Sequence, residues 1–155
     1  MGERIYDFAF DGMTVYAAGD NGLFISEDGG RTWNSISQFK DSGASGRTVR
    51  PQASIFSVEI DDGVLWVGSS DGLLRSFDGG QTWTEQHWSY LDLQDIHFTD
   101  LLHGISVGGV DGNATIITDN GGQTWTEQAN PDGAYLNGVH FTDPQTGIAV
   151  LRSDE

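Results

Sequence analysis

The fold is decided by an octapeptide, Ser26-Glu-Asp-Gly-Gly-Arg-Thr-Trp33, that recurs within the 155 residues of the chain. The other two copies are Ser76-Phe-Asp-Gly-Gly-Gln-Thr-Trp83 and Thr118-Asp-Asn-Gly-Gly-Gln-Thr-Trp125. In each copy a Ser or Thr is followed, after one variable residue, by Asp or Asn, two glycines, a second variable residue and Thr-Trp. The copies recur at intervals of about 40 to 50 residues, a period that indicates a repeat architecture.

Short runs of apolar residues surround each octapeptide, and Asn-Gly or Asp-Gly turns separate them. In the first unit these runs are residues 5–10, 15–19 and 23–25, and a fourth run starts at Trp33. Four short strands in a unit of roughly 40 residues predict a four-stranded antiparallel meander, the unit of a β-propeller blade. We therefore expect an all-β chain with one propeller-type domain over residues 1–155, and blades at about 4–37, 54–86 and 92–128.

A fourth unit begins but is incomplete. The segment 97–107 matches 140–150, which predicts the inner half of a further blade at about 135–152. A half blade exposes strand edges that tend to pair with other chains. Three arrangements satisfy these edges: a fragment of a longer propeller, an assembly of copies that completes the ring, or a strained four-blade ring closed by one chain. The first two are favoured, because closed propellers have at least four blades.

Composition excludes several classes of function. The chain has 23 acidic and seven basic residues and a net charge of -16, so nucleic acid and anionic membranes are poor partners. It has no cysteine, which excludes disulfides, thiol catalysis and cysteine-based zinc sites. No apolar run approaches the ~20 residues that span a bilayer, and the start MGERIYDFAF does not resemble a signal peptide.

The octapeptide predicts a structural turn between the third and fourth strands. The paired glycines supply positive φ angles, Asp or Asn accepts hydrogen bonds within the turn, and the tryptophan is expected to be buried beside or between blades. A calcium loop needs several oxygen ligands, whereas each octapeptide offers one Asp or Asn directly before its two glycines, so we expect no metal and no cofactor. The predicted structural residues are Ser26, Asp28, Gly29, Gly30, Thr32, Trp33, Ser76, Asp78, Gly79, Gly80, Thr82, Trp83, Thr118, Asn120, Gly121, Gly122, Thr124 and Trp125.

The octapeptide resembles the Asp-box of the BNR-repeat superfamily, which includes sialidases, sortilin-type receptors, xyloglucanase-type glycoside hydrolases and photosystem II assembly-factor propellers. The segment from Ile96 to Gly108 is most similar to the assembly-factor branch, and the residues before the first two boxes are more similar to the sortilin and xyloglucanase branches. The resemblance implies a β-propeller whose boxes lie away from the ligand-binding face. It also favours an extracellular or periplasmic location.

Catalysis is not indicated by the sequence. A sialidase-like protein would carry an Arg-Ile-Pro motif, but Arg4-Ile-Tyr6 departs from it at the third position. Among 23 acidic residues some carboxylate pair is always available, so a glycosidase pair cannot be singled out. His97 and His140 occupy the same position in their units, which favours a structural role over a metal pair. We expect no catalytic residue.

Binding is the remaining class, and the segments between blades are the candidate surface. The linker 38–51 contains Lys40, Arg47 and Arg50, three of the seven basic residues, and it is either a solvated loop or a contact loop. The next linker contains His87, Trp88 and Tyr90; these aromatics either anchor a partner or pack the blade junction.

The sequence thus favours a non-enzymatic interaction or assembly scaffold. Its expected partner is a protein or a glycan, with self-association as a way to complete the ring. The alternative is a piece of a secreted carbohydrate-active enzyme or a glycan-binding module.

Overall fold

The computed structural model of the chain describes residues 4–36, 39, 53–87, 92–109, 114–130 and 133–151. These residues form 14 β-strands. No helix in the described ranges has both the length and the apolar character required to span a membrane. The strands are β1 (Ile5–Asp11), β2 (Thr14–Gly19), β3 (Gly22–Ser26), β4 (Asn34–Ile36), β5 (Ile55–Asp61), β6 (Val64–Ser69), β7 (Gly72–Ser76), β8 (Thr84–His87), β9 (Leu93–Phe98), β10 (Gly104–Gly108), β11 (Ala114–Thr118), β12 (Thr126–Gln128), β13 (Leu136–Asp143) and β14 (Thr146–Leu151).

The strands form three four-stranded sheets and one two-stranded sheet. Within each sheet the strands follow chain order, and all neighbours are antiparallel. We call β1–β4 blade 1, β5–β8 blade 2, β9–β12 blade 3 and β13–β14 the half blade. The all-β class, the four-strand meanders and the two-stranded remainder predicted from sequence are confirmed.

The hairpins follow from local chemistry. The glycine pairs of the three boxes all have positive φ, for example 73° at Gly29 and 89° at Gly30, a region that side chains with a Cβ avoid. The fourth strand of each blade begins one residue after the box tryptophan rather than at it. The tryptophan therefore directly precedes the fourth strand, at the end of the octapeptide.

The blades lie side by side, and the first strand of each blade contacts the first strand of the next. β1 contacts β5, β5 contacts β9, and β9 contacts β13. We call the face of a blade that meets the next blade in the chain its front face, and the opposite one its back face. The main cores lie at these junctions: one between blades 1 and 2, one between blades 2 and 3, and a smaller one between blade 3 and the half blade.

The box tryptophans differ in burial. Trp83 is 1% exposed in the core between blades 1 and 2, and Trp125 packs against the core between blades 2 and 3. Trp33 is 39% exposed, so the expectation that it would be buried is wrong. The reason is positional, because each box tryptophan is covered by the preceding blade, and within the described residues none precedes blade 1.

Candidate functional site: Asp-box turns, blade junctions and open faces

Hydrogen bonds between residues of the first Asp-box stabilise its turn. Asp28 Oδ1 accepts from the backbone N–H groups of Arg31 and Thr32 at 2.9 and 2.8 Å, and Asp28 Oδ2 accepts from the Thr32 hydroxyl at 2.7 Å. The Ser26 hydroxyl donates to Asp28 Oδ1 and accepts from Gly30 N–H, both at 2.8 Å. These bonds, led by the one from the Thr32 hydroxyl, lower the pKa of Asp28 to about 2.

The other two boxes repeat this geometry. Asp78 accepts from Thr82 N–H and Thr82 hydroxyl at 2.8 and 2.6 Å, and its pKa is also lowered to about 2, mainly by the hydroxyl bond. Asn120 keeps the acceptor role with Oδ1, which takes Thr124 N–H at 3.0 Å, while its amide donates to the Thr124 hydroxyl at 2.7 Å. The turn therefore requires an oxygen acceptor at this position and not a negative charge.

The box oxygens are directed inward, to their own turn. Among the described residues no group of three or more His, Asp or Glu side chains is arranged to hold a metal ion. In the first two boxes the indole N–H also stays within the turn: Trp33 and Trp83 donate to the carbonyls of Gly30 and Gly80 at 3.1 and 3.0 Å. This geometry is consistent with a structural role for the boxes, which we retain as a proposal.

The predicted binding face lies mostly outside the described residues. This holds for Lys40, Arg47, Arg50, Trp88 and Tyr90. His87 is the last residue of β8, and its backbone pairs with Leu73 of β7. The proposal that these residues contact a partner therefore stays a prediction.

A cluster of apolar side chains on the back face of blade 1 was not singled out by sequence reasoning. We call Phe8, Phe10 and Trp33 the blade-1 flank. All three are exposed, and Phe10 is 66% exposed. The Phe8 ring lies 6.4 Å from both the Phe10 and the Trp33 rings, measured between centroids, so the aromatics form one continuous patch.

Two repeat units further along, the corresponding positions pack against another blade. In blade 3, Phe98 and Trp125 lie at the positions of Phe10 and Trp33, with ring centroids 6.1 Å apart. Both rings pack on Trp66 of the front face of blade 2, at 4.7 and 5.9 Å. The blade-1 flank therefore occupies positions that contact the preceding blade in blade 3, and no described blade covers it.

The half blade carries the complementary open surface. Ile148 pairs with His140 across β13 and β14, the register in which Trp66 pairs with Glu59 in blade 2. Ile148 is 68% exposed, and Val150 and Leu151 are exposed as well. In the described part of the chain β14 pairs with β13 only, so its other edge is open.

A cavity of about 410 Å³ lies in front of the outer strands of blade 3. Its apolar wall includes Ile105, Ile117 and Phe141. Its polar wall combines threonines of β11, β12 and the third box with His97, His103 and Gln128. The cavity exists because β13 covers the inner half of the blade 3 front face, whereas the outer half has no covering strand among the described residues.

Carboxylates on the first strand of each blade accept hydrogen bonds from backbone N–H groups of the next blade. Asp7 Oδ2 accepts Val58 N–H at 2.9 Å, Glu59 Oε2 accepts Phe98 N–H at 3.0 Å, and Asp95 Oδ2 accepts Val139 N–H at 2.8 Å. Each bond crosses from one blade to its successor. Sequence reasoning missed these three residues because each bond joins positions 39 to 51 residues apart.

Glu59 is the most perturbed of these groups. Burial, the largest cause, and the negative charges of Asp61, Asp95 and Asp7 together raise the pKa of Glu59 to about 8, against the opposing effect of the Phe98 hydrogen bond. His97 Nδ1 lies 3.4 Å from Glu59 Oε1, while His97 Nε2 bonds the Phe141 carbonyl at 2.9 Å. A carbonyl only accepts, so Nε2 carries the hydrogen, and in the neutral ring Nδ1 faces Glu59 as an acceptor.

The two histidines singled out from the repeat are neighbours in space. The His97 and His140 rings lie 4.6 Å apart between centroids, at the junction of blade 3 and the half blade. His97 bridges Glu59 of blade 2 to the half blade. This contact pattern is that of a junction between sheets.

Comparison with known proteins supports a β-propeller-type fold for these blades. The family model described as BNR/Asp-box repeat matches residues 24–35, 74–85 and 116–127. None of the curated proteins matches the chain. The chain thus carries three BNR/Asp-box repeats on a β-propeller-type fold.

Three similar solved structures illustrate the range of proteins that share the fold. The extracellular domain of the BT4673 system from B. thetaiotaomicron is 15% identical over 95% of this chain, with a TM-score of 0.71. The GH74 xyloglucanase from Xanthomonas campestris is 21% identical over 93%, with a TM-score of 0.64. YCF48 bound to a D1 peptide is 15% identical over 90%, with a TM-score of 0.59. The chain spans 20%, 25% and 43% of these three structures, in that order.

Proposed function

We propose that the chain is a non-enzymatic assembly scaffold that joins other blades through its open faces. The observation that carries this proposal is the blade-1 flank. Phe10 and Trp33 are exposed on blade 1, whereas Phe98 and Trp125 at the same repeat positions of blade 3 pack on Trp66 of blade 2. Exposed contiguous apolar patches of this kind mark protein-interaction sites.

The structure offers a partner surface on the chain itself. The front face of the half blade, with Ile148 and Val150, has the register of the face that receives Phe98 and Trp125 inside the chain. One copy can dock its blade-1 flank there and continue the same type of junction. The net charge of -16 per copy opposes this association, so salt is expected to strengthen it by shortening the Debye length.

Self-association is expected to require both faces. In sedimentation velocity, Phe10→Asp and Ile148→Asp should each shift the chain toward monomer, because each places a charge in an apolar junction. Mixing the two variants should restore part of the association, since one unmutated pair of faces then remains. Leu101→Asp is the matched control, because Leu101 is an exposed apolar residue outside both faces.

A monomeric unmutated chain at all concentrations and salt conditions would refute self-association. Loss of association in the Leu101→Asp control would show that the effect is one of added charge and not of the two faces.

The alternative function, a carbohydrate-active protein, has one structural observation in its favour. Glu59 has the raised pKa of a glycosidase general acid and lies near other carboxylates. The similar xyloglucanase makes xyloglucan the first substrate to test. Under the scaffold proposal no reducing ends are released from it. Hydrolysis that disappears in folded Glu59→Gln would favour the alternative.

A further inference from the structure

The cavity in front of blade 3 lies beside the half blade. We call this cavity the blade-3 groove; its floor is the outer half of the blade 3 front face, with Ile105, Thr115, Ile117, Thr126 and Gln128, and it is also lined by Phe141 of β13 and Pro144 of the turn before β14. Within the described residues β14 pairs with β13 only, so its other edge is open.

The corresponding space at the first two junctions is filled by an Asp-box turn. Between blades 1 and 2, Trp83 packs on Phe39 with ring centroids 5.0 Å apart, and a Cβ on Gly80 would lie 2.9 Å from Ile36. Between blades 2 and 3, Trp125 packs on Trp66, and a Cβ on Gly122 would lie 2.2 Å from that same indole. The box backbone thus touches the preceding blade, which is why glycine is required there.

The strand register shows that the cavity in front of blade 3 is equivalent to the two spaces that Asp-box turns fill in front of blades 1 and 2. Ile105 pairs with Ile117 in blade 3, as Trp66 pairs with Arg75 in blade 2 and Tyr16 with Ile25 in blade 1. Tyr16 faces the second box and Trp66 faces the third. The row of Ile105 therefore faces the space that a further box would occupy.

We propose that the blade-3 groove binds an Asp-box hairpin added beside the half blade. One strand of that hairpin adds antiparallel to the open edge of β14, and its tryptophan enters the cavity against Ile105 and Ile117. The mode is β-strand addition, in which main-chain hydrogen bonds give affinity and a side-chain pocket gives specificity. The inference rests on the proposed scaffold function and names the partner of its second open face.

The groove suits this ligand chemically. In the first two boxes the indole N–H is satisfied by a glycine carbonyl of its own turn, so an entering tryptophan needs an apolar wall and no new acceptor. Ile105, Ile117 and Phe141 provide that wall. The threonines and Gln128 around them leave hydrogen-bonding groups for the strands of the hairpin.

The test uses the chain's own second hairpin as the probe, because its indole N–H bonds its own turn. A fluorescein-labelled peptide of residues 72–87 is titrated with the full chain, and anisotropy is recorded. Saturable binding is expected, weakened at least about tenfold when the peptide carries Trp83→Ala, since a buried tryptophan anchor contributes more than ~1.4 kcal/mol. A scrambled peptide of the same composition is the control; equal binding of the scrambled peptide would overturn the proposal.

Hydrogen exchange locates the bound peptide. Saturation should slow exchange of the backbone amides in residues 146–151, whose open edge acquires partners, while β1 stays unchanged. Binding without protection of β14, or no binding at all, would refute the proposal. The Phe10→Asp variant should bind the peptide like the unmutated chain, because the blade-1 flank is a different face. If the chain self-associates but does not bind the peptide, only this inference is refuted. If the chain binds the peptide but does not self-associate, only the proposed function is refuted.

Discussion

Replacing Trp83 by alanine is expected to lower the free energy of unfolding by about 3–5 kcal/mol, the usual cost of emptying a large aromatic site in a core. Trp83 is 1% exposed and packs on Phe39 and the other residues of the core between blades 1 and 2. Its removal leaves a cavity between two sheets that can close only if a whole blade moves. That is the situation in which such substitutions cost most.

Trp33→Ala is the matched control for this prediction. Trp33 occupies the same box position, and its indole donates to Gly30 as that of Trp83 does to Gly80. Because its side chain is exposed and none of the described blades covers it, the loss should be below about 1.5 kcal/mol.

Urea unfolding followed by circular dichroism measures both variants. The protein concentration is kept low enough for the chain to be monomeric, so that docking of a second copy does not cover Trp33. Losses of the same size for the two variants would contradict the assignment of Trp83 to an inter-blade core.

The parts of the fold that were predictable from sequence are those fixed within a few residues. The Asp-box is such a part, because Asp28 finds all its hydrogen-bond partners between Ser26 and Thr32. The paired glycines and the Asn-Gly or Asp-Gly turns likewise indicate turns with positive φ angles, which other residues rarely adopt. These signals recur, so the strand order of every blade followed from them.

Contacts between sheets were not predictable in the same way. Phe10 and Phe98 occupy the same position in similar strands, yet Phe98 is buried on Trp66 and Phe10 is exposed. The difference depends on whether a neighbouring blade is present, and nothing in either strand encodes that. The bond from Val58 to Asp7 depends in the same way on the relative register of two separate sheets. The residues that lie exposed on the open faces could therefore be identified only from the structure.

Glu59 is expected to make the protein less stable as the pH rises from about 5 to about 8. Its pKa is raised from 4.5 to about 8 in the folded chain, so between these values the folded state holds a proton that the unfolded state has released. Unfolding then releases a proton, and stability falls with increasing pH. At about 1.4 kcal/mol per pKa unit, the change is on the order of a few kcal/mol.

Glu59→Gln should remove most of this pH dependence. The amide oxygen of glutamine still accepts the Phe98 N–H, while no charge is ever buried beside Asp95 and Asp7. We expect the variant to match the unmutated chain near pH 5 and to exceed its stability by a few kcal/mol at pH 8. Urea midpoints across this range give the comparison.

The difference between the two proteins reports on Glu59, because Asp95, Asp61 and Asp92, whose pKa values are also raised by burial, are present in both. Asp28 and Asp78 have pKa values lowered to about 2, so their contribution to stability is lost only on acidification below about pH 4, outside the window. Glu27→Gln removes the same charge from an exposed side chain and should leave the slope intact. A slope that is unchanged in Glu59→Gln would mean that the carboxylate between blades 2 and 3 is not held in its protonated form by the fold.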